Sequence, residues 1–191
     1  MFRISDKHYN IIVKQALDNM PQESGGFLGG RDNLILAIMP TFNKHLYNRT
    51  DTFSFDSDDL LRAYEFFKKN NMKYICPYHS HPSGVAEPSM TDIKSGQAYH
   101  LIVGVNGEKT IINAFKIEKL KAIQVPLEVV PYSKLSQMQS VSTEQILKTQ
   151  NKIFEDNTEL NQKIDSIKNE KNIKYPKLDP RSFDSDFSTL A

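Results

Sequence analysis

The chain has 191 residues, 39 % of them hydrophobic and 25 % charged, the balance of an ordinary folded protein with room for one domain and an appendage. A formal net charge of +1 gives no global electrostatic case for nucleic acid or an anionic membrane as a partner. One cysteine, Cys76, excludes an internal disulfide framework and a Cys-rich zinc site. The opening MFRISDKHYN lacks the apolar core of a signal peptide, and no apolar run is long enough to span a bilayer. A reducing cytoplasm is the expected compartment.

Taken in order, Ser5 caps a first predicted helix in which Tyr9, Ile12, Val13, Ala16, Leu17 and Met20 form an apolar face closed by Pro21. Glu23 precedes the segment Gly25-Gly26-Phe27-Leu28-Gly29-Gly30, where the backbone must pack closely or turn. Asn33 to Met39 is an apolar run of strand length, and Phe53 to Phe55 is expected as a short strand. A second helix, capped by Ser57 with Asp58 and Asp59 in its first turn, is expected to bury Leu60, Leu61, Tyr64 and Phe67. Lys73 to His81 reads as a strand running into a loop broken by Pro82, Gly84 and Pro88, after which Ser89 opens a short helix. Tyr99 to Val105 and Lys109 to Ile117 flank Asn106-Gly107, a two-residue hairpin signal. Leu120 to Val130 alternates as a last strand. Strands interleaved with two or three helices predict a mixed α/β (α+β) sandwich.

All eight glycines lie at or before Gly107, and nothing after Val130 reads as a buried strand. The expected division is a globular domain over 1–131, a polar linker with an amphipathic helix over 132–173, and a disordered tail over 174–191. The helix has a start signal in the capping box Ser142-Thr143-Glu144-Gln145, and Ile146, Ile153, Leu160, Ile164 and Ile167 share one stripe. It is expected to dock on its own domain, to self-associate, or to bind a partner. The last residues offer little to bury.

The stretch that carries chemistry runs from Tyr78 to Asp92. Residues two apart on a strand point to the same side, so His79 and His81 place both imidazoles on one face and can share a metal ion. The Pro82–Pro88 loop returns the chain, and Asp92, in the first turn of the next helix, is placed to supply a third ligand. Two nitrogens and one carboxylate oxygen leave a fourth position for water, the arrangement of a catalytic zinc site. His8, His45 and His100 have no spaced partners and are expected to be structural or exposed. Cys76 lies on the strand face opposite the two histidines and reads as core. The Pro-Cys-x-x-Cys half of a cytidine-deaminase signature is absent, as is any His-Glu-x-x-His.

Glu23, then His79-Ser80-His81-Pro82, then Ser89 after seven intervening residues, and Asp92 resemble the motif of the JAMM (MPN+, JAB domain) zinc metalloproteases, and of their compact prokaryotic members in particular. The order helix, Glu-Ser-Gly-Gly-Phe-Leu-Gly-Gly, strand, loop through Asn43, helix and motif strand is similar too, and the likeness covers roughly residues 1 to 130. The resemblance implies the JAMM/MPN, cytidine-deaminase-like fold: a mixed β-sheet sandwiched by helices, here with a C-terminal helical extension. It implies one zinc ion held by His79, His81 and Asp92, Glu23 as general base and Ser89 as oxyanion stabiliser. By the same resemblance the chain is expected to hydrolyse the amide after the C-terminal glycine of a ubiquitin-like or sulfur-carrier protein, with an E1-like activating system as a further partner. The substrate's extended tail would lie as an added strand between Asn43–Phe55 and Pro82–Pro88. A RadC-like protein and a non-catalytic MPN scaffold stay open as alternatives, although a scaffold of that kind typically lacks ligands this chain retains.

Overall fold

A computed structural model describes residues 1–107 and 109–138, with Lys152, Glu155 and Gln162 also placed, each helical. The chain divides into two compact units, Met1–Thr158 and Glu159–Ala191. Apart from those three helical residues, the predicted helix from Ile146 and the predicted disordered tail lie outside the described residues. Among the described residues no helix is long and apolar enough to cross a membrane.

The first unit is a mixed sheet of eight strands with helices against it. Its elements are β1 (Phe2–Ser5), α1 (Asp6–Asp18), β2 (Gly25–Arg31), β3 (Leu34–Thr41), α2 (Ser57–Lys69), β4 (Lys73–His81), α3 (Met90–Lys94), β5 (Tyr99–Asn106), β6 (Lys109–Glu118), β7 (Lys121–Val125), β8 (Leu127–Val130) and α4 (Tyr132–Met138). The strand order is β7-β6-β5-β4-β2-β3-β1-β8. This is the expected α+β architecture of a mixed sheet with helices.

Several local expectations need correction. The predicted single strand from Leu120 to Val130 is two strands parted at Pro126, which has no N–H to continue a ladder. Its first half pairs antiparallel with β6, and its second half pairs in parallel with β1 at the opposite edge. β1, not foreseen, is four residues long and paired with β3 and β8, both distant in sequence. Phe53 to Phe55 is not a strand. The glycine-rich segment is a strand, β2, between β3 and β4. Close packing is the reason for its glycines: a Cβ on Gly29 would lie 2.2 Å from the Phe67 ring of α2.

Two apolar cores lie on the two faces of the sheet. On one, α1 brings Ile12 and Ala16 against Leu28, Cys76, Tyr78, Leu101 and Val103. Leu17 and Met20, expected on the buried face of α1, are exposed, and His8 and Gln15 are buried instead. Gln15 donates to the Gly25 carbonyl at 3.0 Å and accepts from the Tyr78 hydroxyl at 2.6 Å, so the helix carries a polar clamp between β2 and β4. Cys76 packs among these apolar residues, and burial pushes its thiol pKa up, which makes it inert core and no nucleophile.

On the other face, α2 sets Ala63 and Phe67 against Phe27 and Leu36, and Leu135 of α4 joins them. The N-cap of α2 is Asp56, one residue earlier than expected, in a reciprocal capping box with Asp59. Leu61 and Tyr64, expected to be buried, are exposed, because the buried stripe of α2 runs through Asp59, Ala63 and Phe67. The face of β4 opposite Cys76 therefore carries His79 and His81 toward the end of the strand that leads into α3.

Candidate metal centre

The site grows from the end of β4. Pairing puts His79 beside Gly25 of β2 and beside Ile102 of β5, and His81 beside Gly104. Between the two histidines, Ser80 points to the other face and is tied to Ser24: its backbone N–H donates to the Ser24 carbonyl at 2.7 Å, and its hydroxyl accepts from the Ser24 N–H at 2.9 Å. These bonds carry the β2–β4 pairing past its last ladder residue and bring Glu23, next in chain, alongside His81.

The predicted side chains converge. Nε2 of His79 lies 2.9 Å from Nε2 of His81 and 3.3 Å from Oδ1 of Asp92. Nε2 of His81 is 4.0 Å from Oδ2 of Asp92 and 4.0 Å from Oε1 of Glu23. Glu23 and His79 are each 5 % exposed, so these polar groups meet almost out of water. Among the described residues, two donor groupings come within 4.8 Å: Glu23 with His79 and His81, and His79 with Asp92 and His100.

Whether these residues suit zinc is a question of spacing and lone pairs. Donors about 2.0–2.1 Å from a tetrahedral zinc stand about 3.3 Å from one another. The His79–Asp92 separation matches this, and the His79–His81 pair is a few tenths of an ångström short of it. Nδ1 of His81 is 2.9 Å from the Val85 carbonyl, which can only accept, so Nδ1 carries the proton and Nε2 presents its lone pair inward. The two capping bonds that Ser89 donates to Asp92, from its N–H at 2.7 Å and its hydroxyl at 2.6 Å, both go to Oδ2, leaving Oδ1 to face His79. His79 thus stands at ligand spacing from both partners, while His81 and Asp92 approach each other to 4.0 Å, through Oδ2; the donor types suit zinc, and closing that gap is the adjustment binding would require.

Electrostatics sort the groups. For Asp92, burial pulls its pKa upward, but His79 and the Ser89 hydroxyl and amide outweigh that and hold the carboxyl well below the usual range. Burial, with the His79 ring beside it, pushes the pKa of His81 down and keeps the ring neutral, as a ligand must be. Glu23 moves the other way: burial first, then the charges of Asp92 and Asp51, raise its pKa to about 8. Asp92 is thus the anion, and Glu23 the carboxyl with high proton affinity. Ser89 is spent on Asp92 in this geometry.

Three residues at the site were not foreseen in that place. His100, expected to be structural or exposed, is 3 % exposed, and its ring stands edge-on to His79 with centroids 6.3 Å apart. Burial drops its pKa to about 4. A histidine opening the apolar run of β5 was the sequence signal, since a buried ring nitrogen needs a partner. Phe53 lies flat on His79, with centroids 5.8 Å apart and planes 4° apart. Only a glycine permits this, because a Cβ on Gly25 would come within 2.8 Å of the Phe53 ring. Phe53 in turn contacts Phe55, which packs edge-on against Phe27 in the core.

Asn43 is the third. Its amide N–H₂ donates to the carbonyls of Thr52 at 2.7 Å and Glu23 at 3.1 Å, and its Oδ1 accepts from the N–H groups of His45 and Ser54 at 3.0 and 3.2 Å. One buried side chain thus shapes the loop that holds Phe53 and also grips the backbone of Glu23. His45 serves the same loop, accepting from the Asn48 N–H through Nδ1. Replacing Asn43 by alanine strands several backbone groups and is expected to lower stability by about 1–3 kcal/mol. At roughly 2–4 °C per kcal/mol for a chain of this size, a melting curve resolves the change. An unaltered melting temperature would show that the loop holds without Asn43.

Comparison with known proteins agrees with this picture. The family model described as prokaryotic homologs of the JAB domain matches residues 5–118, more than half of the chain. A protein of Thermus thermophilus named "Probable TtuB-protein conjugate cleaving protease" is 30 % identical over 98 residues, which span 50 % of this chain and 65 % of that one. The match thus covers a little under two thirds of the relative. A solved structure from Desulfitobacterium hafniense, 24 % identical, superposes with a TM-score of 0.62 and covers 69 % of this chain and 94 % of that one. One from Salinibacter ruber, 21 % identical, gives a TM-score of 0.50 over 68 % of this chain and 92 % of that one. These two share the fold. With the domain matched over more than half its length, the chain belongs to the family of prokaryotic JAB-domain homologs.

Proposed function

We propose that the chain is a zinc-dependent hydrolase that cleaves the amide following the C-terminal glycine of a ubiquitin-like or sulfur-carrier protein. The observation that carries this reading is one buried arrangement: a carboxyl of raised pKa, Glu23, facing two histidine nitrogens and an ionised Asp92. Two nitrogens and a carboxylate are a hydrolytic zinc set, and a separate acid beside them is the proton carrier such a set needs. The name of the Thermus thermophilus relative, a conjugate-cleaving protease, supports the substrate class.

His79, His81 and Asp92 would hold the ion. When bound, zinc supplies Lewis acidity and brings a coordinated water toward a neutral pKa. Glu23 takes the proton of the attacking water and returns it to the departing amine. Burial suits it to both acts, because a carboxyl held out of water has a higher affinity for a proton than an exposed one and can still release it to an amine. Ser89 turns its hydroxyl from Asp92 to the developing oxyanion. Phe53 closes one face of His79 and holds its ring in place. The substrate's tail lies between the loop from Asn43 to Phe55 and the loop from Pro82 to Pro88, where Leu46, Tyr47 and Val85 expose apolar surface to it.

The test is cleavage of a carrier protein ending in Gly-Gly, extended either by a peptide or by an isopeptide-linked lysine, and followed by intact mass. Release of the carrier at its terminal glycine by the zinc-loaded chain is the expected result. Tight zinc binding with no cleavage of either form would favour a non-catalytic binding module.

A further inference from the structure

We propose that His100 is a positioning residue for the metal centre: through Ser95 it anchors to the sheet the short helix that carries Asp92, while its ring buttresses His79. The inference rests on the zinc reading above and adds a residue to it.

Asp92 lies in the first turn of α3. This helix is five residues long and buries none of them. A single turn and a half has no stability of its own, and helices in proteins are normally held by the face they bury. α3 half-buries Asp92 and Ile93 but buries no residue fully, and the one contact already described between it and the sheet, Asp92 with His79 at 3.3 Å, is the ligand geometry that has to be held. Something else must fix it. At its N-terminus the capping box between Ser89 and Asp92 organises the turn, but both residues belong to the turn itself, so the box attaches α3 to nothing outside.

The C-terminal end supplies the attachment. The hydroxyl of Ser95, the C-cap residue, donates to the backbone carbonyl of Asp92 at 2.7 Å. It lies 3.1 Å from Nε2 of His100 and 3.3 Å from the N–H of Gln97. A hydroxyl has one proton to give. Since that proton goes to Asp92, Nε2 of His100 must be the donor in the third contact. The chain of bonds is therefore directional: His100 Nε2–H to Ser95 Oγ, and Ser95 O–H to the Asp92 carbonyl. His100 sits on β5, one of the inner strands of the sheet, and is 3 % exposed, so it is a rigid post. The parallel register that sets His79 against Ile102 leaves His100 two residues back on the same face, which is how its ring meets His79 edge-on. One buried side chain thus touches the element behind one proposed ligand and the ring of another.

Outer partners of this kind typically change metal affinity by roughly 10–100-fold when removed. The experiment is competition for zinc between the full chain and a chromophoric chelator, read as a dissociation constant, with melting of the metal-free proteins as a check on folding. His100→Ala is expected to weaken zinc binding by roughly 10–100-fold. Ser95→Ala should weaken it by a smaller factor, since it breaks the relay but leaves the His100 ring against His79, and the double variant should be no worse than His100→Ala. His100→Gln, which keeps an N–H to give to Ser95, is expected to recover much of the loss. If His100→Ala misfolds, Ser95→Ala, at an exposed position, still decides the matter. Zinc held by both alanine variants as tightly as by the wild type would overturn the inference and leave the metal reading intact. So would a cobalt-substituted spectrum showing that His100→Ala removes a nitrogen donor, since His100 would then be a ligand. A wild type that takes up no zinc defeats the metal reading and this inference with it.

Discussion

Replacing Glu23 by glutamine is expected to lower amide hydrolysis by roughly 10²–10⁴-fold, the usual contribution of a placed general acid–base group, while leaving zinc bound. The amide keeps the shape of the carboxyl but cannot take up a proton, and none of the three proposed ligands is touched. Glu23 reaches the site from just before β2, held by the Asn43 amide on its carbonyl and by its own N–H donating to the Arg49 carbonyl at 2.6 Å. The substitution should leave these backbone bonds in place. The metal-free protein gives a second readout. The folded pKa of Glu23 is raised to about 8 from an ordinary 4.5, so the folded state holds this proton more tightly than the unfolded chain does. Its contribution to stability is fully present below the ordinary value and is lost as the pH rises through about 8. Glutamine, uncharged at every pH, should therefore melt no lower than the wild type at alkaline pH, with its relative advantage fading as the pH falls. Near-normal turnover in Glu23→Gln would remove Glu23 from the mechanism.

The other large effect is expected at Asp92. Asp92→Ala deletes the one anionic donor of the proposed set, and it also deletes Oδ2, to which both Ser89 bonds go. In a helix that buries no residue, losing the cap loosens the turn as well. Zinc affinity should fall by more than the roughly 10–100-fold typical of an outer partner. Asp92→Asn separates the two causes. Its amide oxygen can still accept from Ser89, so a cap-only role predicts near-wild-type zinc binding in that variant, whereas a ligand role predicts most of the loss seen with alanine.

How far the molecule was legible beforehand follows the range of the interactions. The His79-x-His81 spacing alone places both rings on one face, because strand geometry is local. Ser89 reads as the opening of a short helix and is the N-cap of α3, and Asn106-Gly107 marks the turn between β5 and β6. Positions fixed by distant pairing were not readable. β1 forms because β3 and β8 flank it, and β8 leaves the line of β7 because Pro126 cannot continue the ladder. Leu61 and Tyr64 follow helical periodicity, yet the stripe of α2 that meets the sheet runs through Asp59, Ala63 and Phe67. Phe53 looked like a strand residue; its packing on His79 depends on the absence of a side chain at Gly25, on another strand. His100 looked isolated because its partners, Ser95 and His79, are brought to it by a helix turn and a parallel crossover. The resemblance at Glu23 supplied a residue that spacing alone would not nominate, and the fold brings it 4.0 Å from His81.

The most direct test of the metal centre is native mass spectrometry of the purified chain beside its Asp92→Ala variant, both supplied with zinc. One zinc per chain in the wild type and little in the variant is the predicted result. No zinc in either, or equal zinc in both, would contradict a centre built on His79, His81 and Asp92.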